Sequence, residues 1–328
     1  MGIFISAFSY IASVIGAGFA SGQEIISFFV KYGNWSFLGI IFSSLIFGLF
    51  AYAVTEESRK HKICNYDEYL DLILPHPFKV FVKYLTVFFS LVTFCTMAAG
   101  CGAMFGELLN ISNLWGNIFL CLITLIFLVS GSKKALEYNG LIGFIIITGV
   151  ICICLYIIGY REHQTSMNIS KITASAFSYA GYNLITAGVV LTKLSSLIKN
   201  HTSSYLVGII SAFIMCVIML LMWIILSIYY GKINLGEMPM LTMALRQNQT
   251  TAIIYSVLLF LSILSTAIAA GVTFKDMLNI KCAIPLLLVC AISFGSAGFS
   301  NLVNIAYRIC GYAGIILPFY IITKKIKK

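Results

Sequence analysis

Long apolar runs separated by short charged or turn-rich breaks dominate the chain. They fall near residues 3–30, 35–55, 80–107, 114–131, 138–159, 173–198, 204–230, 251–276, 282–298 and 301–323. A bilayer core needs roughly 20 helical residues per crossing, so the pattern predicts ten transmembrane helices and an all-α membrane protein. The breaks carry the charge. Most Lys and Arg residues, among them Arg59, Lys60, Lys62, Lys133, Lys134, Lys275 and the tail Lys324, Lys325, Lys327 and Lys328, fall on the face that ten crossings give to both termini. Lys31, Arg161, Lys171, Lys232 and Arg246 fall on the other. Because cytoplasmic loops retain positive charge, both termini are expected in the cytoplasm.

Composition sharpens this picture. Of 328 residues, 60% are hydrophobic and 10% charged, with a mean hydropathy of +0.98, too few polar groups to cover a water-soluble globule. The apolar start continues too long, and without a basic leader, to be a cleaved signal peptide, and is expected to be the first span. The net charge of +10 is dispersed over short loops and a tail, which makes it a topology signal and leaves a nucleic-acid partner without support. The tail is expected to flank the last span, within reach of anionic lipid. The ten cysteines lie almost entirely within apolar runs without C-x-x-C spacing, and the four histidines are scattered over connecting segments, so neither a disulfide nor a metal framework is expected. No nucleophile, base and orienting acid share a constellation, and no phosphate-binding loop is present, which argues against an enzyme and against any organic cofactor.

A repeat lies beneath the hydropathy. The first span holds Gly16-Ala17-Gly18-Phe19-Ala20-Ser21-Gly22, and the sixth holds Ser178-Tyr179-Ala180-Gly181-Tyr182-Asn183. Gly16 and Gly181 are 165 residues apart, against a half-chain of 164, which suggests repeats 1–164 and 165–328 within one membrane domain. Five spans per repeat is odd, so the second set crosses in the opposite sense. Paired breaks at mid-membrane depth in inverted repeats are the pattern of a secondary transporter with its site at the midplane. Bare backbone in hydrocarbon costs several kcal/mol per unpaired group, so a break persists only where it lines a cavity or meets a ligand. A half-helix starting near Phe19 would aim amide donors at an anionic group, while carbonyls around Ala12, Ile15 and Tyr179 would face cations. The alternative is that these glycines only permit close helix packing, a spacing that Gly18 and Gly22 satisfy.

The motif VIGAGFASGQEI, the chain length and the paired Tyr182-Asn183 region resemble the leucine-transporter (LeuT) fold of the amino acid, polyamine and organocation superfamily, and within it the YkvI-like bacterial membrane proteins. The resemblance implies a 5+5 inverted repeat with helices 1 and 6 discontinuous, a substrate enclosed by helices 1, 3, 6 and 8, and a bacterial plasma-membrane location. It also implies a sodium site from the carbonyls of Ala12, Ile15 and Ser262 with the hydroxyls of Ser265 and Thr266. Oxygen-only ligands suit such a hard cation. The competing reading is that these hydroxyls bond back to their own helical turn. Helix 5 carries no lysine of the kind some proton-coupled relatives place there.

Substrate contact is expected from Gly16, Ala17, Gly18, Phe19, Ala20, Tyr179, Gly181, Tyr182 and Asn183. Glu24 sits inside an apolar span, where a carboxylate is costly, and Arg308 is placed similarly in the last helix. Three roles stay open for Glu24: a gate or structural ion pair with Arg308, proton coupling, or contact with a substrate amine. Glu56 and Glu57 read as cytoplasmic surface, and the segment 235–247 as an outer lid. The functional expectation is an alternating-access transporter for a small polar solute, an amino acid or amine-like compound, with sodium and without a protein partner. The rival is a ligand receptor on the same fold that binds without turnover.

Overall fold

In a computed structural model, the described residues are 1–157, 169–232, 234, 236–278, 280–294, 298–314 and 320–321. Arg161, Leu235, the end of the last expected span and the lysine tail lie outside them. Among the described residues every regular element is helical. In chain order these are α1 Gly2–Val14, α2 Ala17–Ala20, α3 Gln23–Phe28, α4 Phe37–His61, α5 Tyr66–Ile73, α6 His76–Leu109, α7 Asn113–Val129 and α8 Ser132–Ile157. They continue as α9 Ile169–Leu194, α10 His201–Tyr229, α11 Pro239–Gln247, α12 Gln249–Leu278, α13 Ala283–Phe294, α14 Phe299–Asn301 and α15 Tyr307–Gly314. Five segments, Asn34–His61, His76–Leu109, Lys134–Ile157, His201–Tyr229 and Gln249–Leu278, are long and apolar enough to cross a membrane. The chain is a multi-pass membrane protein.

The first span is interrupted twice. The α-helix ends at Val14, Ile15 turns to ψ 77°, and Gly16 is extended at ψ −166° before the four-residue α2. A second turn at Gly22, with φ +86°, starts α3. Only glycine takes that left-handed angle without strain, and a Cβ there would also approach Leu226 Cδ1 at 2.8 Å. The last span is irregular as well. After Gly298, at φ +87°, the short α14 passes into a π-helical stretch over Leu302–Ala306 and then α15. The widened turn sets the direction from which Tyr307 and Arg308 approach the first span.

The sixth span corrects the expectation from sequence: α9 is one continuous helix through Ser178, Gly181 and Asn183. A single glycine keeps its backbone N–H and so keeps the helical ladder. Its role is packing, since a Cβ on Gly314 would come within 2.6 Å of the Gly181 carbonyl, and one on Gly311 would collide with the Ser178 carbonyl. The Tyr179 carbonyl is not turned to a cation; it accepts a 3.1 Å hydrogen bond from Asn183 Nδ2.

On the face that holds the N-terminus, Lys193 at the end of α9 pairs with Asp276 at the end of α12. The amphipathic α5, which hydropathy passes over, tucks Tyr66 and Tyr69 beneath the bundle. Glu56 is buried rather than surface, gripped by Arg59 through Nε at 3.0 Å and Nη2 at 2.8 Å.

Candidate functional site

The site begins with the hydrogen bonds that the first break leaves unmade. In an unbroken helix the Gly16 and Ala17 amides would bond to Ala12 and Ser13. Instead the Gly16 N–H donates to Val14 O at 2.9 Å and the Ala17 N–H to Met97 Sδ at 3.2 Å. Ala12, Ser13 and Ile15 are thereby left with carbonyls that need other donors. Helix α12 supplies them. Ser262 Oγ donates to Ile15 O at 2.5 Å, Ser265 Oγ to Ala12 O at 2.9 Å, and Thr266 Oγ1 to Ala12 O at 3.2 Å.

The same helix shows the alternative. Ser256 and Thr273 bond back to Ala252 and Ala269, one turn earlier on α12 itself. Ser262, Ser265 and Thr266 reach across to α1 instead, so hydroxyls of both kinds share one helix and only those facing the break are drawn to it. Ala12, Ile15, Ser262, Ser265 and Thr266 thus form one buried cluster of neutral oxygens. Ser262 enters it through its hydroxyl rather than its carbonyl.

The outer end of the interruption is also closed by side chains and backbone from elsewhere. Tyr255 Oη donates to Ala20 O, and the Met240 N–H of α11 donates to Ser21 O at 2.8 Å. The segment 235–247, expected to form a lid, therefore contributes a helix that caps α2. Ser175 Oγ of α9 donates to Phe28 O at 2.6 Å, fastening the end of α3.

Between these closures lies a cavity of about 10 Å³, room for one water molecule. Gly16, Glu24, Thr93, Met97, Tyr182 and Asn183 line it, with Tyr307 from the last span and Thr266 from the oxygen cluster. Of the residues expected to touch substrate, the structure brings Gly16, Tyr182 and Asn183 to this cavity. Ala17, Gly18, Phe19 and Ala20 are buried beside it on α2, and Tyr179 and Gly181 sit behind it on α9. The expected half-helix begins at Ala17 rather than near Phe19, and its first amide is already taken by Met97.

Glu24 is 2% exposed, and its Oε2 has no hydrogen-bond partner among the described residues. The side chain folds back on its own span, so that a Cβ on Gly18 would collide with the carboxyl. Arg308 does not pair with it here. The guanidinium donates from Nη2 to Ser27 O at 2.8 Å and lies 5.8 Å from the Phe28 ring centre. Asn304, in the π-helical stretch, accepts from Ser27 Oγ at 2.7 Å. Phe28, Tyr179, Tyr182 and Tyr307 complete an aromatic group, with Tyr182 and Tyr307 centroids 4.5 Å apart. Met97, Thr93 and Tyr307 were missed in the sequence. Nothing in hydropathy distinguishes them from ordinary members of an apolar helix.

No family model matches the chain. Two Bacillus subtilis proteins are similar along nearly all of it. YyaD, itself uncharacterized, is 23% identical over 315 residues, covering 94% of this chain and 92% of YyaD. The uncharacterized membrane protein YkvI is 23% identical over 332 residues, covering 97% and 95%. Among solved structures, the Eremococcus coleocola manganese transporter with an aromatic bis-isothiourea compound superimposes at a TM-score of 0.71 and 11% identity, over 98% of this chain and 78% of that one. A Na+-coupled sialic acid symporter in a substrate-bound outward-open state reaches 0.63 at 14% identity, over 93% and 75%. MhsT with L-phenylalanine reaches 0.63 at 13%, over 94% and 79%. The chain has the LeuT-type fold these transporters share.

Proposed function

We propose that the chain is a secondary active transporter that moves a small polar solute across a bacterial plasma membrane by alternating access, with sodium as the coupling ion. In this reading residues 1–164 and 165–328 are inverted five-helix repeats of the amino acid, polyamine and organocation type, both termini are cytoplasmic, and lipid is the only other partner. The supporting observation is the interrupted first span, whose freed Ala12 and Ile15 carbonyls face three hydroxyls of α12. A set of neutral oxygens suits a singly charged hard cation, because it offers coordination without a surplus of negative charge. The likeness in fold to a Na+-coupled symporter points the same way.

The closures on either side of the cavity suggest what moves. Release of α11 and Tyr255 from the α2 carbonyls would open one side, and parting of Lys193 from Asp276 the other. Each step exchanges a few hydrogen bonds for solvent or solute contacts, a change that a ligand binding one state better can drive.

The test is solute uptake by proteoliposomes holding the full chain, driven by an inward sodium gradient. Saturable uptake that collapses with the gradient is expected. Saturable binding without flux would instead make the protein a receptor on a transporter fold. For the ion, the double variant Ser265→Ala with Thr266→Ala is expected to weaken sodium-dependent thermal stabilisation by about tenfold or more, equivalent to at least ~1.4 kcal/mol. An unchanged response relative to potassium would remove sodium from the proposal.

A further inference from the structure

The interruption in the first span presents a carboxyl group where an anion-binding site was expected. The Ala17 amide is spent on Met97 Sδ, and Glu24 folds its carboxyl against Gly18. A carboxylate of a solute brought to this place would meet a fixed carboxyl group, with no cationic side chain among the described lining residues. The described lining residues of the cavity other than Glu24 are uncharged. The protein's own acid therefore occupies the position that a zwitterionic amino acid would need for its carboxylate.

From this arrangement we infer that the central site binds an organic cation carrying a protonated amine and no carboxylate, its charge paired with Glu24 and its body set against the rings of Tyr182 and Tyr307. Three features converge on it. The Glu24 Oε2 and the Tyr182 hydroxyl are both buried and lie beside one another, with no other hydrogen-bond partner among the described residues. Tyr182 and Tyr307, packed on one another at 4.5 Å, both line the cavity beside the acid, and aromatic rings attract ammonium groups, more strongly when water is excluded. The nearby guanidinium, Arg308, is directed by its Nη2 to Ser27 O and lies over the Phe28 ring, with its Nε unpartnered among the described residues, and it makes no ion pair with the acid. A transition-metal cation fits less well, because no group of three His, Cys, Asp or Glu side chains capable of holding one exists among the described residues.

The cavity in this closed conformation is too small for such a solute, so the site is filled only when the closures part. An enclosed carboxylate without a counter-ion is costly, and in the absence of the amine a proton can neutralise it. Proton and amine then compete for one acid, which makes binding weaker as pH falls. The other ionisable groups around Glu24 are the phenols Tyr179 and Tyr182 from α9 and Tyr307 from α15, with Arg308 beyond them at Ser27, and neither side-chain type ordinarily changes charge between about pH 5 and pH 8.

The inference rests on the transporter reading for what the solute is bound for, but its test is read at equilibrium without flux. Purified full-length protein is titrated with n-propylamine and 1,4-diaminobutane, and separately with propionate, L-alanine and manganese(II) chloride, while thermal stabilisation is followed. The amines keep their charge between about pH 5 and pH 8, so a pH effect belongs to the protein. The expected result is stabilisation by the amines alone, stronger at the higher pH, and weakened by about tenfold or more in Glu24→Gln. Should that variant fail to fold, the pH series on the unaltered protein decides. Amine binding that ignores pH, equal binding by Glu24→Gln, no amine binding at all, or stabilisation by L-alanine, propionate or manganese at this site would each overturn the inference. Uptake of a zwitterionic amino acid by the unaltered protein would sink it while leaving the transporter reading intact. Amine binding through Glu24 without flux would do the reverse.

Discussion

Gly22→Ala is expected to lower stability by about 2–5 kcal/mol and to abolish most solute flux. The loss has two sources. At φ +86° an alanine would sit in the left-handed region, which costs about 1–2 kcal/mol for a residue with a Cβ. The added methyl would also lie 2.8 Å from Leu226 Cδ1 and 3.0 Å from Met240 Cγ, and overpacking of this kind costs about 1–3 kcal/mol. Because α11 caps the interrupted span through Met240 and Ser21, displacing Met240 loosens the closure as well as the turn. Gly231 is a control: its φ is +78°, yet a Cβ there would meet nothing within 4 Å. Gly231→Ala should show the strain alone, about 1 kcal/mol. Thermal unfolding of both variants separates the two terms. Equal losses would mean that α11 does not press on the break.

Gly311→Ala is expected to cost about 1–3 kcal/mol, through backbone collision instead of strain. The methyl would meet the Ser178 carbonyl and Oγ, and a carbonyl held in the middle of α9 cannot swing aside as a side-chain tip can. In lipid, helices associate through close packing of small residues, so separating α15 from α9 also forfeits dispersion contacts along the seam. Tyr307 and Arg308 lie on the same short helix, and both would be shifted from the cavity and from Ser27. The measurement is the melting temperature, with amine or other solute binding as a second readout. A variant as stable as the parent would contradict the packing role assigned to the glycine-rich stretch of the sixth span.

That stretch shows where reading the sequence stops. Gly16 and Gly181 look alike in one dimension, a glycine among small and polar residues at mid-span. Around Gly16 the backbone leaves the helix and the Ala17 amide turns to a methionine 80 positions away. Around Gly181 the ladder continues, because the pressure there comes from Gly311 and Gly314 of the last helix, which approach so closely that bulk is excluded. The cluster of Ala12, Ile15, Ser262, Ser265 and Thr266 was legible because a family pattern joined segments more than 240 residues apart. Met97, Thr93 and Tyr307 carried no such pattern. The pairing of Glu24 with Arg308 was a reasonable reading of two costly charges, but their directions depend on a π-helical stretch that hydropathy does not register.

The sequence by itself determined the solvent and the helical class: a chain this apolar must satisfy its backbone in lipid as helices, and its glycines and isolated charges had to mark exceptions. Tertiary structure decided which exceptions became a site. Whether a freed carbonyl meets a hydroxyl, or a glycine meets a turn or a neighbouring helix, is set by groups distant in the chain. Hydrogen bonding and close packing act over a few ångströms in space, with no regard for separation along the sequence.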